Sequence, residues 1–189
     1  MADLIENYIY LYHIDKFILL PTYPESVSDN LSASFQSSNP LSRSAPIYSY
    51  SYSGPRTLQV NLSLHRDMMS QLNYNLSNYN ISLYPGEDYI DRIIAELQSI
   101  ALPRYDASVK MVDPPMIALR FGNEIYIKGI VNGGVGVTYS GPILPNNKYA
   151  LVNISFTVNE IDPYDAETVA VSGSYRGLNK TLERRLYKK

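Results

Sequence analysis

An α+β domain, mainly antiparallel β with one packed helix and extended terminal arms, is the fold class that this 189-residue sequence predicts. Three observations predict it. Several segments alternate apolar and polar side chains at the two-residue period of a half-buried strand, one segment carries the helical period, and proline, serine and asparagine punctuate the rest. Many strands with a single helix fit an antiparallel sheet that keeps the helix on one face. One core is expected, because two halves would each sit near the lower end of domain size.

Tyr8 to Tyr12 and Lys16 to Leu20 read as two short strands closed by Pro21 and Pro24. From Ser26 to Pro46 the chain is rich in Ser, Asn and Pro, with one alternating piece, Leu31 to Phe35, whose odd positions are apolar. That stretch is expected to be a strand and a loop or arm. Tyr48, Tyr50 and Tyr52 then alternate with Ser49, Ser51 and Ser53, giving one aromatic face, until Gly54-Pro55 breaks the run. Leu58, Val60, Leu62 and Leu64 alternate with Gln59, Asn61, Ser63 and His65, so this strand has an apolar and a polar face. The two runs flank a turn and suggest an antiparallel pair.

The helix is expected over about 87–102. Glu87 and Asp88 suit the positive end of a helix dipole, Ile90, Ile93, Ile94, Leu97 and Ala101 fall at helical spacing, and Pro103 stops the pattern. Strands follow at Met116 to Phe121, Glu124 to Ile130, Gly136 to Tyr139 and Leu151 to Val158, with a hairpin signal at Gly122-Asn123. Gly133, Gly134 and Gly136 read as a β-bulge or tight hairpin, since no Gly-Lys-Ser/Thr follows to make a phosphate loop.

Composition narrows the function. The chain holds 18 Tyr against 4 Phe and no Trp, and tyrosine, apolar on its face and polar at its tip, suits half-buried sheet faces and contacts between subunits. Without cysteine there is no disulfide, thiolate metal site or cysteine nucleophile. A net charge of −2 argues against a general nucleic-acid coat. No apolar run approaches a membrane span, and Met1 to Leu20 lacks the pattern of a secretory signal, so a soluble protein made in the cytoplasm is expected. The sequons at Asn30, Asn61, Asn75, Asn80, Asn153 and Asn179 read as chance in that setting.

Chemistry has few anchors. His13 and His65 have no partner at metal-ligand spacing, so no metal or other cofactor is expected. Glu87, Asp88 and Asp91 read as a helix N-terminus, and Asp162, Asp165 and Glu167 as a turn, rather than as the carboxylate pair of a glycosidase. No Gly-x-Ser-x-Gly elbow occurs. The expected protein is non-enzymatic. Its contact candidates are Tyr48, Tyr50 and Tyr52, and a basic tail with Lys180, Arg184, Arg185, Lys188 and Lys189 that grips an acidic neighbour, touches phosphate or stays solvated.

Two stretches, with the helix between them, carry a resemblance covering roughly Ile47 to Glu160. In the first, Gly54-Pro55-Arg56-Thr57 leads into the alternating strand Leu58 to Leu64 and ends at Asp67-Met68. In the second, Asp113-Pro114-Pro115 precedes Met116 to Gly122, followed by Lys128-Gly129-Ile130-Val131, Gly141-Pro142-Ile143-Leu144 and the closing run Tyr149 to Glu160. Together they resemble the tube and baseplate-hub proteins of contractile phage tails and related injection systems.

That resemblance implies a tail-tube-like β-barrel or sandwich that forms a ring, hexameric in such systems, and links or initiates the tube at its junction with the baseplate hub. Copies of itself, tube proteins and hub proteins are then the partners, the virion is the location, and DNA enters only as content of a lumen. Some relatives of this kind carry a C-terminal peptidoglycan-binding LysM module; only 29 residues follow Glu160 here, too few for it. The implied organisation is 1–46 for N-terminal strands and arm, 47–175 for the tube-like domain and 176–189 for the basic tail. A carbohydrate-binding β-sandwich with tyrosines as a stacking platform is the alternative.

Overall fold

The computed structural model describes residues 7–20, 22–70, 83–106, 111–162 and 165–172. It is mostly antiparallel β with few helices. The strands are β1 (Asn7–Leu11), β2 (Lys16–Leu19), β3 (Ser26–Asn30), β4 (Ala33–Ser38), β5 (Ile47–Ser53), β6 (Thr57–His65), β7 (Arg104–Asp106), β8 (Met111–Asp113), β9 (Met116–Phe121), β10 (Ile125–Ile143) and β11 (Tyr149–Glu160). The helices are α1 (Arg66–Ser70), α2 (Tyr89–Ser99) and α3 (Ala166–Ser172).

Seven strands form one sheet in the order β2-β1-β9-β10-β11-β6-β3, every neighbour antiparallel. The sheet ends at β2 and β3, so no closed barrel forms among the described residues. Its β6–β11 ladder sets Leu58, Val60, Leu62 and Leu64 opposite Val158, Phe156, Ile154 and Val152. All eight are buried, as the alternation requires. The N-terminal strands join the same sheet, β1 pairing with β9 and β3 with β6.

The helix covers this apolar face. Asp88 caps α2 by accepting from the Asp91 N–H at 2.9 Å, and Asp91 returns the bond to the Asp88 N–H in a capping box. Tyr89, Ile90, Ile93, Ile94 and Leu97 are buried in the same cluster as the strand residues. The helical register stops at Ser99, short of the expected 102, because Ile100 to Leu102 turn back in shorter i→i+3 bonds before Pro103. Lys16 reaches across from β2 to the buried Glu96 carboxylate at 2.6 Å and fixes the helix to the sheet edge.

Two strand expectations need correction. β5 does not pair with β6; it pairs with β4, while β6 is occupied on both sides by β11 and β3. β3 itself lies where only a loop or arm was expected: Ser26 to Asn30 is a poor strand former, and the open edge of β6 supplies the ladder that makes it one. Gly136 to Tyr139 belongs to a longer strand, β10, which carries the expected bulge where the register jumps from Asn132 to Val135 across Gly133 and Gly134, at φ of +77° and +91°. Gly129 is needed for another reason: a Cβ there would lie 2.1 Å from the Asn159 carbonyl oxygen.

Candidate functional site

Three surfaces stand out among the described residues: a projecting arm, the open edges of β3 and of the later part of β10, and an uncharged sheet face. The arm is the β4–β5 hairpin, in which all of β5 and all of β4 except Ser34 are exposed. Tyr48, Tyr50 and Tyr52 remain about 60% accessible, as does Phe35. Such a hairpin gains little from its own packing, since two strands alone are marginal in water.

The register within the arm corrects the expected single aromatic face. Ser34 lies opposite Tyr52 and the next residue, Phe35, opposite Tyr50, so Ser51 is an extra residue in β5. Successive residues of the unbroken strand β4 point to opposite faces, which places Tyr52 with Ser34 and Ile47 on one side and Tyr48 and Tyr50 with Phe35 on the other. The Tyr50 hydroxyl accordingly meets Ser53 Oγ at 2.6 Å, and its ring meets Phe35 edge-on at 5.6 Å.

A buried arginine roots the arm. Arg56 follows the Gly54-Pro55 turn and is 2% exposed. Its Nε and Nη2 donate to both oxygens of Asp29 at 2.6 to 3.0 Å, its Nη1 donates to the Tyr126 carbonyl at 3.0 Å, and Glu160 lies 3.8 Å away. One guanidinium therefore ties the root to β3, β10 and β11. The Gly54 N–H donates to the Ser32 carbonyl at 2.8 Å, closing the two strands of the root. Periodicity gave no sign of this role; in the sequence Arg56 stands out only within the Gly54-Pro55-Arg56-Thr57 motif.

The edges arise because β9 pairs with β10 only as far as Met116 and Ile130. Residues 131–143 of β10 thus have β11 on one side and no described strand on the other. β3 forms the far edge, with β6 its one partner among the described strands. Between these edges runs a face whose rows hold Ser26 and Ser28 on β3, Gln59, Asn61 and Ser63 on β6, Asn153, Ser155 and Thr157 on β11, and Asn132 and Thr138 on β10. Amides and hydroxyls fill it, and no Asp, Glu, Lys or Arg stands in those rows. A shallow cavity of about 370 Å³ lies on it beside Gly133 and Gly134.

Toward the β2 end, the same side of the sheet, turned away from α2, buries Tyr8, Tyr10, Leu19, Ala118 and Tyr126 of β1, β2, β9 and β10 in a second cluster. Tyrosine is therefore divided between a buried cluster here and the exposed arm. His65 ends β6 on the polar face, and His13 is partly buried with its pKa lowered by that burial, Asp113 opposing and Arg104 assisting. Among the described residues no group of three His, Asp or Glu side chains is placed to hold a metal ion. Asp162 and Asp165 line one cavity of about 660 Å³ at the root of the arm, and Asp165 caps α3 by accepting from the Thr168 N–H at 2.7 Å. Lys180, Arg184, Arg185, Lys188 and Lys189 lie outside the described residues.

The N-terminus of α2 is an ion cluster. Arg66 donates to Asp88, to Asp91 at 2.9 Å and to the Tyr149 carbonyl at 2.9 Å, and Lys148 pairs with both carboxylates. Burial alone would raise the Asp91 pKa, but the bonds from Lys148 and Arg66 outweigh it and hold the carboxyl below its usual range. Burial likewise works against the Lys148 cation, and its bonds to Asp91 and Asp88 raise its pKa regardless. This cluster belongs to the cap and locks the β10–β11 turn onto α1 and α2.

No helix among the described residues is long and apolar enough to cross a membrane. A scan against protein-family models and a search of the curated proteins find no match to this chain.

Proposed function

We propose that this chain is a structural subunit that builds a ring by continuing its sheet from copy to copy, at the junction of tail tube and baseplate hub in a contractile phage tail or related injection machine. The observation that carries ring building is the pair of open edges at opposite ends of the run β3-β6-β11-β10. Directions alternate along four strands, so β3 and β10 run oppositely. A copy rotated about an axis roughly along the strands therefore presents β3 antiparallel to residues 131–143 of its neighbour. The contact is head-to-tail, and such contacts make rings when the rotation closes. Closure also removes edges that would otherwise recruit unrelated strands.

The tube-and-hub assignment, the sixfold count, the virion location and the tube and hub partners come from the sequence resemblance; the open edges and the arm support assembly of some kind. In this reading the uncharged face turns inward and the arms reach the adjoining ring. DNA would be lumen content, meeting amides and hydroxyls without the basic side chains that phosphate binding requires. The role is assembly, and the reading is non-enzymatic.

Sedimentation velocity and negative-stain imaging of the purified chain should show a closed ring. In hydrogen exchange, amides of residues 131–143 should gain protection on assembly while those of β6, already paired on both sides, should not change. A chain that stays monomeric with added tube and hub proteins, or rings without new protection at 131–143, would refute edge pairing.

A further inference from the structure

The cavity at the root of the arm has a composition that selects its occupant. Leu31, Pro55 and, from α3, Ala166, Val169 and Ala170 line it together with the carboxylates Glu160, Asp162 and Asp165. Its interior arginine is already committed, because Arg56 is bound by Asp29 and the Tyr126 carbonyl. The lining thus combines apolar side chains with carboxylates. α3 needs a cover: of its seven residues only Val169 is even half-buried among those described, and Ala166, Ala170 and Val171 are exposed. A helix that short does not hold itself in water.

The chain beyond α3 has the complementary composition. Residues 173–189 include Arg176, Lys180, Arg184, Arg185, Lys188 and Lys189 against the single acid Glu183, with Leu178, Leu182 and Leu186 recurring every fourth residue. Residues 173–179, with Gly173 and Gly177, separate α3 from the basic segment. Seven residues extend to about 24 Å, more than twice the roughly 10 Å length of α3, so the segment can reverse over it. So short a connection keeps the segment at an effective concentration of about millimolar, which favours the same chain over a neighbour as its host.

We propose that Lys180–Lys189 docks in the root cavity of its own chain, with its leucines against the α3 and Pro55 walls and its cations at Asp162 and Asp165. The docked segment covers α3 and clamps it to the root of the arm. This contact does not depend on ring formation.

Zero-length carbodiimide cross-linking of the full chain, mapped by mass spectrometry on an equal mixture of ordinary and nitrogen-15-labelled protein, tests it. Links from Lys180, Lys188 or Lys189 to Asp162 or Asp165 are expected within single chains. They should disappear at about 0.5 M salt, where screening acts beyond roughly 4 Å. They should also disappear in the Asp162→Asn/Asp165→Asn variant with no compensating links, and weaken strongly in Val169→Asp. The Lys16–Glu96 pair, at 2.6 Å, should cross-link in every sample and report that the fold is intact. Tail links that are predominantly between differently labelled chains, that fall on other carboxylates, or that are absent while Lys16–Glu96 forms would each overturn the proposal.

Discussion

The β6–β11 ladder and the β4–β5 arm use the same alternation and reach opposite ends. In the ladder, Leu62 opposite Ile154 and Val60 opposite Phe156 vanish from solvent. In the arm, Phe35 opposite Tyr50 stays more than half exposed. Alternation marks a face that gains from a cover; it does not say whether the cover belongs to the same chain. Side-chain chemistry says more, since aliphatic rows tolerate water poorly while tyrosine keeps a wet tip. The ladder is a core, and the arm is an exposed aromatic surface.

The comparison breaks hardest at its centre. Leu62→Asp would put a carboxylate into the fully covered row, where an unpaired charge costs several kcal/mol or more. Insoluble or unfolded protein is expected, and a soluble variant with an unchanged melting curve would show that the ladder is not the core. Next comes the joint between the two regions. Arg56→Met removes the cation between Asp29 and the buried Glu160 and should cost about 3–5 kcal/mol in urea unfolding, as breaking a buried pair does. Arg56→Lys should recover only part, because a lysine cannot form the two-pronged bond to Asp29. A loss below about 1 kcal/mol, the level of a surface pair, would mean the root is not held this way.

What the sequence disclosed follows the same division. The rows Leu58 to Leu64 and Val152 to Val158, the apolar stripe of α2, the hairpin at Gly122-Asn123 and the bulge at Gly133-Gly134 are local patterns, and each was legible. Pairing was not. The β5–β6 pair expected from adjacency gave way to β4–β5, because both edges of β6 were already taken by strands remote in sequence. Likewise the face of Tyr52 depends on the single extra residue Ser51, which exists only relative to β4. Arg56 stands out in the sequence only within the motif of the resemblance, and its role at the root was not legible because its partners, Asp29, Tyr126 and Glu160, lie 27, 70 and 104 positions away.

A smaller effect should appear at the α2 cap. The folded-state pKa of Asp91 lies below its unfolded value, so its contribution is present above the ordinary carboxylate range and is lost as pH falls through it. For Lys148 the folded value is raised, so its contribution is complete below the ordinary lysine value, about 10.4, and is lost at higher pH. Unfolding free energy should therefore plateau between these ranges and fall on both flanks. Both groups are partly exposed, which limits each ion pair to about 1 kcal/mol. Lys148→Met should flatten the alkaline flank and weaken the acid one. An unchanged acid flank in that variant would place the titrating carboxylate elsewhere.

The smallest change in stability should come from the arm, and it discriminates best. Phe35, Tyr48 and Tyr50 share one face, so Tyr48→Ser/Tyr50→Ser removes two of its three rings while leaving every buried row untouched. Monomer stability should shift by no more than about 0.5–1 kcal/mol, the range of exposed cross-strand pairs. If that aromatic face is what the arm presents to a neighbouring copy, sedimentation should show assembly lost in the same variant, as aromatic anchors dominate such contacts. Tyr52→Ser supplies the control that the bulge makes available: equally exposed and two residues away, it lies on the other face with Ile47 and should leave assembly largely intact. Equal losses from Tyr50→Ser and Tyr52→Ser would mean that the neighbour grips both sides of the arm or that Ser51 does not turn the face. Assembly retained by Tyr48→Ser/Tyr50→Ser would remove the aromatic face from the interface and leave the sheet edges to carry it.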